Sequence, residues 1–332
     1  MNLFISKDDL IRWLELLLRE RIIIAPIRVQ GQTMFQPISK VEEIMFDFDN
    51  TALSSKGWFL PPTETLFSVR RDDGQIKLMP ATVERDAIIF GIRPCDARGI
   101  ALMDGPFLQV PSDTLYQERR NRTTIIGLAC RQAQPECFCT SMGSAPDDPS
   151  HVDILLTEVK DGYIVQVVTE KGKALLPKGW AKYKRKMPTP PQLKTVPTKG
   201  IVSAIREFFN DPYWERLADR CLHCNICAYV CPTCYCFDVR DYPDKGKVER
   251  VRSWESCQSP GFSLTAGGYD PRTTKGERLR QRFYHKLLYF PERFQEVACV
   301  GCGRCGKACP VNIDIREVIS DLHQLAEAKS GS

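Results

Sequence analysis

A cysteine motif that occurs twice is the feature that most constrains this chain. Residues 221–232 read CLHCNICAYVCP and residues 299–310 read CVGCGRCGKACP. In the bacterial ferredoxin pattern with this spacing, the first three thiolates bind one [4Fe–4S] cluster and the fourth binds the other cluster of a pair. The proline after the fourth cysteine suits the first turn of a helix. The spacing therefore predicts two [4Fe–4S] clusters whose ligands cross between the motifs.

The crossed pattern assigns four cysteines to each cluster. The first set has three cysteines of the first motif and the last cysteine of the second motif: Cys221, Cys224, Cys227 and Cys309. The second set is the converse: Cys231, Cys299, Cys302 and Cys305. Buried thiols and zinc are the competing interpretations. Structural zinc sites usually take their four ligands as two pairs, and two matched runs of four cysteines do not fit that arrangement.

Four further cysteines, the third set, lie in the N-terminal half: Cys95, Cys130, Cys137 and Cys139. Two of them follow predicted strands and two share a short loop, and binding sites are commonly built at such places. We expect the four to converge and to bind a third [4Fe–4S] cluster, away from the other two, with zinc and inert buried thiols as the alternatives. Asp96, beside Cys95, is either an unusual ligand or a structural cap.

The segment between the two motifs, residues 232–298, is far longer than in a compact bacterial ferredoxin. We interpret it as a helical insert, which predicts a helical ferredoxin-like domain. Three cysteines of this insert lack an obvious fourth ligand, and we interpret them as free thiols near a cluster or as packing residues: Cys234, Cys236 and Cys257. Five basic residues either raise the potential of a cluster or form a solvated helix face, which we favour: Arg278, Arg280, Arg282, His285 and Lys286.

Hydrophobic periodicity predicts a multidomain α+β protein. An N-terminal α/β domain covers residues 1–175, a Pro/Lys-rich extended linker covers 176–200, and the helical dicluster domain covers 201–332. The predicted elements of the first domain are a helix over 8–20, strands over 21–30, 87–92 and 124–130, and a hairpin within 151–170 that turns at Asp161 and Gly162. The predicted helices of the last domain cover 201–210, 276–290 and 313–328.

The composition argues against several classes of protein. Fifteen cysteines stand out in a chain whose 43% hydrophobic and 26% charged residues are ordinary for a soluble globular protein. No N-terminal secretory pattern is visible, so we expect a cytoplasmic protein, in which metal binding explains the cysteines better than disulfides do. No apolar run approaches the ~20 residues of a membrane span. The net charge of +5 comes without a basic stripe interleaved with aromatic residues, which argues against nucleic acid.

No catalytic constellation accompanies the cysteines. The one GxGxxG run, GCGRCG at 301–306, belongs to the second cysteine motif and follows no predicted strand, so it does not indicate nucleotide binding. GxxxxGKS is absent, and no Ser/His/Asp arrangement is visible. We therefore predict a protein that passes single electrons and is not an enzyme on its own. Two other classes stay open: an enzyme subunit with its own substrate site at the third set, and a zinc-stabilised interaction module.

Short motifs in both halves of the chain point to one family. In the N-terminal half they are PTETLF at 62–67, RPCD at 93–96 and CFCTSMG at 137–143. In the C-terminal half they are CPTCYCFDV at 231–239, WESC at 254–257, GF at 261–262, AGG at 266–268, GER at 276–278, HK at 285–286 and CVGCGRC at 299–305. In these segments the chain resembles the family that comprises the dicluster electron-transfer subunits of anaerobic sulfite reductases and the β subunits of cytoplasmic sulfhydrogenases.

This resemblance implies an electron relay of anaerobic metabolism that works within a hetero-oligomeric complex. One implied partner is a flavoprotein subunit that oxidises or reduces NAD(P)H. The other is a catalytic redox subunit, of the sulfite reductase, nickel–iron hydrogenase or heterodisulfide-reductase type. Cys234, Cys236 and Cys257 also lie in the matching segments, which weakens their interpretation as incidental thiols.

Overall fold

The computed structural model describes residues 2–330 apart from 73, 84, 178, 185 and 245. Its strands are β1 (Asn2–Ser6), β2 (Ile22–Val29), β3 (Gln32–Pro37), β4 (Thr63–Asp72), β5 (Gln75–Pro80), β6 (Ala87–Ile92), β7 (Thr123–Leu128), β8 (Ile154–Val159), β9 (Gly162–Val167), β10 (Ala181–Lys182), β11 (Phe237–Asp244) and β12 (Lys247–Trp254). One sheet of eight strands has the order β10-β1-β9-β8-β7-β6-β2-β3, and a sheet of four strands has the order β11-β12-β4-β5.

The helices lie between these strands and dominate the C-terminal third. The α-helices are Lys7–Glu20, Lys56–Phe59, Pro94–Phe107, Thr114–Arg122, Glu170–Lys173, Ile201–Arg206, Tyr213–Arg220, Ile226–Tyr229, Lys275–Tyr284, Phe290–Phe294, Arg304–Lys307 and Ile315–Ser330. Two 3₁₀ turns cover Val41–Glu43 and Cys139–Met142, and His285–Tyr289 is a π-helix. Of the helices that the structure describes, none has the length and apolar character needed to cross a membrane.

The centre of the large sheet is parallel and fully buried. Every residue of β6 and β7 is buried, and β7 pairs in parallel with both β6 and β8. Such strands have near-continuous apolar sequences because both of their faces are covered. The carboxyl ends of β6 and β7 lead into Cys95 and Cys130, so the sheet places two members of the third set side by side.

Local signals in the N-terminal half predict its elements well. The helix Lys7–Glu20 begins at Ser6, whose hydroxyl accepts a hydrogen bond from the Asp9 backbone N–H at 3.1 Å, a standard N-cap. The predicted hairpin is formed by β8 and β9, with Val159 opposite Gly162. The mixed α+β architecture, with an N-terminal sheet followed by a mainly helical region, is as predicted.

The insert between the motifs differs from its prediction. We expected it to be helical, but β11 and β12 form an antiparallel hairpin, and β12 pairs with β4 of the N-terminal half. Arg252 of β12 is buried and its Nε donates to Glu64 of β4 at 3.0 Å. The hairpin therefore crosses the predicted domain boundary, and the two halves share the four-stranded sheet.

The C-terminal helices enclose a core of their own, with Trp214, Phe283 and Leu322 fully buried in it. The predicted helix over 201–210 ends at Arg206, and the one over 313–328 is Ile315–Ser330. The predicted helix over 276–290 begins at Lys275, changes to a π-helix at His285 and continues to Phe294. π-helical segments occur mostly as single-turn bulges and often at functional sites.

Candidate iron–sulfur centres

The four cysteines of the first set line one cavity. Cys221, Cys224 and Cys227 reach it from the first motif, and Cys309 reaches it from the second. The remaining lining is largely apolar and includes Leu279 of the helix Lys275–Tyr284. A group of four thiols that surrounds one space with apolar walls fits the donor set of a [4Fe–4S] cluster.

The second set is arranged in the same way around a second cavity. Cys231 comes from the first motif, and Cys299, Cys302 and Cys305 come from the second. The structure thus brings the cysteines together in the crossed combination that the spacing predicts. The ligation of a cluster by each set remains a prediction.

The two motifs reach this geometry through the same backbone device. His223 and Gly301, which lie two positions after the first cysteine of each motif, both have positive φ, of 50° and 64°. Asn225 and Gly303, two positions further on, have φ of 62° and 73°. These left-handed residues turn the chain between successive cysteines, so that three thiols at two-residue spacing can face one space.

The second motif has glycine at both left-handed positions because another segment lies against it. A Cβ at Gly301 would lie 2.6 Å from the backbone of Phe138, and one at Gly303 would lie 2.5 Å from the Glu136 side chain. The Phe138 backbone N–H also donates to the Gly301 carbonyl oxygen at 2.8 Å. The loop that carries Cys137 and Cys139 is therefore packed directly on the second motif.

Two buried cations face the sulfurs of these sets. Arg282 lines both cavities, and its Nε and Nη2 atoms have no hydrogen-bond partner among the residues that the structure describes. Burial opposes the charge of Arg282, but the nearby thiolates of Cys227 and Cys305 raise its pKa well above the usual value. A buried N–H group without an acceptor is costly. The sulfides of bound clusters would accept hydrogen bonds from these Arg282 atoms, which supports the fit of clusters in the two cavities.

Lys286, in the π-helical turn, contacts the second set. Its Nζ donates to the Cys231 sulfur at 3.2 Å, to Thr233 Oγ1 at 2.8 Å and to the Ala298 carbonyl oxygen at 3.0 Å. Burial lowers the pKa of Lys286, but the nearby sulfurs of Cys231 and Cys234 outweigh burial and the net shift of this pKa is upward. The solvated helix face that we favoured is therefore wrong for Arg282 and Lys286, whereas Arg280 is partly exposed.

We expect Lys286→Met to lower the reduction potential of the second-set centre. The ammonium group and its N–H···S hydrogen bond favour the more negative, reduced state, and hydrogen bonds to sulfur are a recognised determinant of cluster potential. Arg280→Gln is the matched control, because Arg280 is partly exposed and donates to the Phe209 carbonyl oxygen rather than to a sulfur. An EPR-monitored redox titration of both variants at unchanged iron content checks this, and equal shifts in the two variants would contradict it.

Members of the third set lie close to the second motif. Cys95 and Cys139 belong to one buried cluster, against which Cys302 packs, and the Cys137 thiol donates to the Cys302 carbonyl oxygen at 3.9 Å. Burial raises the pKa of the Cys139 thiol to about 12, with further contributions from Cys130 and Cys137. That all four cysteines bind one cluster remains a prediction. The expectation that this set lies away from the other two is wrong, because the packing of residues 136–139 on the second motif places it beside Cys302.

Asp96 has neither of the roles that we considered. Its carboxylate forms a two-pronged ion pair with Arg304, with N–O distances of 2.5 and 2.6 Å, and the two residues are 1% and 4% exposed. Arg304 belongs to the second motif, so this pair ties the helix that follows β6 to the cysteine loop. Nothing in the local sequence around either residue signals the pairing.

Zinc receives no support from the geometry. Among the residues that the structure describes, no three histidine, cysteine or acidic side chains are arranged as the ligands of a single metal ion. Four thiolates around a cubane are spaced more widely than four thiolates around one ion. The alternatives of zinc binding and of a zinc-stabilised module therefore remain without a structural observation in their favour.

Comparisons with known proteins agree with the cysteine geometry. Residues 220–313 match a family described as a 4Fe-4S dicluster domain. Over 321 residues the chain is 29% identical to Sulfhydrogenase 2 subunit beta of Pyrococcus furiosus, an alignment that covers 91% of this chain and 92% of that protein. No solved structure matches the chain. The family resemblance drawn from the sequence motifs is thereby confirmed, and the C-terminal region is a dicluster iron–sulfur domain.

Proposed function

We propose that this chain, an iron–sulfur electron-transfer subunit of the sulfhydrogenase type, relays single electrons between two partner subunits of a cytoplasmic hetero-oligomeric complex. One partner is a flavoprotein that handles NAD(P)H, and the other is a catalytic redox subunit. The observation that supports the proposal is that the cavities of the first and second sets share one buried cation and that the loop bearing Cys137 and Cys139 packs on the second motif. Arg282 lies between the first and second sets, and the contact of Phe138 with Gly301 joins the second to the third.

The first set is the one that lies nearest the surface. Cys224 is exposed, and Leu222 and Ile226 beside it are 64% and 37% exposed. Exposed apolar side chains around a redox site suit a protein partner better than water. We therefore place one docking surface at residues 222–226.

The chain's own residues prepare each site for an iron–sulfur cluster. When bound, a [4Fe–4S] cluster supplies one-electron chemistry. Cysteine sulfurs hold it, Arg282 and Lys286 offset the negative charge of the thiolates, and the apolar walls limit the access of water. The second cavity is lined by cysteines, by these two cations and by apolar residues and glycine, a lining that suits a cluster better than a substrate.

We expect the purified, cluster-loaded chain to be reduced by dithionite and yet to oxidise no NAD(P)H. The reason is that the one run with a common nucleotide-binding pattern, GCGRCG at 301–306, is part of the second cysteine motif, whose cysteines line the second-set cavity. Activity with a dye acceptor should appear when a flavoprotein subunit of the complex is added. Flavin-free chain that oxidised NADH at the rate of the whole complex would refute the relay and favour an enzyme with its own substrate site.

A further inference from the structure

Three cysteines outside the cluster sets lie together where the β11–β12 hairpin returns to the first motif. Phe237 is opposite Trp254 in the ladder, and the Glu255 backbone N–H donates to the Cys236 carbonyl oxygen at 3.0 Å. This brings Cys257 back onto Cys236. The Cys257 thiol and backbone N–H lie near the Cys236 sulfur and lower the pKa of Cys236. Both residues are free thiols, and Cys257 is buried whereas Cys236 is half-buried.

A buried lysine from the N-terminal half completes this group. Lys56 is 2% exposed, its Nζ donates to the Cys234 carbonyl oxygen at 2.8 Å, and it lies 4.3 Å from the centre of the Trp254 ring. Burial lowers its pKa, and the sulfurs of Cys234, Cys231 and Cys236 oppose that shift. A buried cation needs a compensating anion. The side chains that offset the burial of Lys56 are sulfurs, Cys236 among them, so the site is suited to a negatively charged Cys236 sulfur.

The same group touches the second set. The Cys234 side chain lies beside the Cys231 sulfur, and Lys286 acts on both Cys231 and Cys236. Cys231 lines the second-set cavity, so it is not available to this group. The remaining three cysteines, Cys234, Cys236 and Cys257, are one thiolate short of the four that a further cluster would need. Cys234 lies beside Cys231, which leaves Cys236 and Cys257 to pair with each other.

We propose that Cys236 and Cys257 are a redox-active pair that cycles between a dithiol and a disulfide, coupled to the iron–sulfur centre of the second set. On reduction, the Sγ–Sγ bond breaks, and two electrons and two protons give two thiols. On oxidation, the bond forms and the same electrons and protons leave. The electrons come singly from the chain's own iron–sulfur centres, and the protons exchange with water at half-buried Cys236. The coupling rests on the proposed relay function.

Three points fit a pair of this kind. Two bound [4Fe–4S] clusters, one in each C-terminal set, would together supply the two electrons that one disulfide requires. Disulfides of reducing compartments are mostly transient and catalytic or redox-sensing rather than structural. The pKa of Cys236 is lowered to about 7, chiefly by the Cys257 thiol that lies near its sulfur, with smaller contributions from Lys286 and Lys56. A thiolate is the form that attacks in thiol–disulfide exchange.

Anaerobic electron counting on the full-length, cluster-loaded protein tests the pair. Oxidised wild type should take up two more electrons per chain from dithionite than Cys236→Ser or Cys257→Ser. Cys234→Ser, the matched control, should take up as many as wild type. Differential alkylation with mass spectrometry should find residues 236 and 257 cross-linked before reduction and separately alkylated after it. Iron and acid-labile sulfide should be equal in all four proteins.

Equal electron uptake by wild type and Cys257→Ser would overturn the pair, as would free alkylation of both thiols in the oxidised protein. A loss of about four irons in Cys236→Ser and Cys257→Ser would also overturn it, in favour of a further cluster. Wild type that binds no iron would overturn the relay function instead. The alkylation pattern of such protein, oxidised with glutathione disulfide, would still decide whether the two cysteines pair.

Discussion

Replacing Cys231 with serine should lower the iron content of the full-length protein by about four atoms per chain, from about twelve, and should remove the signal of the second-set centre. Cys231 belongs to the first motif in sequence, but its side chain lines the cavity of Cys299, Cys302 and Cys305. It also accepts the hydrogen bond from Lys286. Serine keeps the shape of the side chain and removes the thiolate. Iron analysis and EPR spectra of anaerobically reconstituted protein provide the measurement.

Two further variants make this experiment specific. Cys234→Ser changes a neighbouring thiol outside both cavities and should leave the iron content unchanged. Cys130→Ser should remove about four irons from the third set and leave the C-terminal signals intact. Loss of the first-set signal in Cys231→Ser would show that the crossed assignment is wrong. Wild type with about eight irons, unaffected by Cys130→Ser, would remove the third cluster and keep the other two.

Replacing Arg304 with methionine should lower the free energy of unfolding by about 3–5 kcal/mol, the range for breaking a buried ion pair. The variant leaves Asp96 buried without a counter-charge. It also removes hydrogen bonds from Nε to the Thr51 carbonyl oxygen and from Nη2 to Thr51 Oγ1, both at 2.8 Å. Arg304 therefore joins three segments: the loop at residue 51, the helix after β6 and the second motif. Anaerobic urea denaturation of cluster-loaded protein measures the change.

Arg220→Met is the matched control for this prediction. Arg220 pairs with Glu317 at 2.7 Å, but both side chains are substantially exposed, so we expect a loss of only about 0.2–1 kcal/mol. The double variant Arg304→Met/Asp96→Leu should regain most of the lost stability, because an apolar pair removes the stranded charge. Similar losses in Arg304→Met and Arg220→Met, or no recovery in the double variant, would argue against the buried pair as the cause.

Local patterns predict much of the N-terminal half. The strands β6 and β7 are recognisable because parallel strands buried on both faces have continuous apolar sequences. The helix Lys7–Glu20 is recognisable from its apolar face and its capping serine. The hairpin of β8 and β9 follows from the turn at Asp161 and Gly162. In each case, residues within about one element length carry the whole signal.

The β11–β12 hairpin shows where such patterns fail. β12 alternates between exposed and less exposed residues, but what stabilises it is pairing with β4, almost two hundred residues earlier in the chain. Strand preference depends strongly on the neighbours that a strand acquires. The burial of Arg282, Lys286 and Lys56 has the same origin, since the thiolates that offset each charge come from other segments.

The sequence by itself determined the two cysteine sets of the C-terminal domain. The spacing of the cysteines is contained within a dozen consecutive residues of each motif. In this ferredoxin pattern, the fourth cysteine of each motif joins the first three cysteines of the other. Only the tertiary structure decided how the sets relate to each other. The third set lies beside Cys302 because the loop 136–139 packs on Gly301 and Gly303, and Asp96 pairs with Arg304 because the helix after β6 meets the second motif. These contacts join residues that are far apart in the chain. The spacing of residues within a motif therefore cannot predict which of them meet in space.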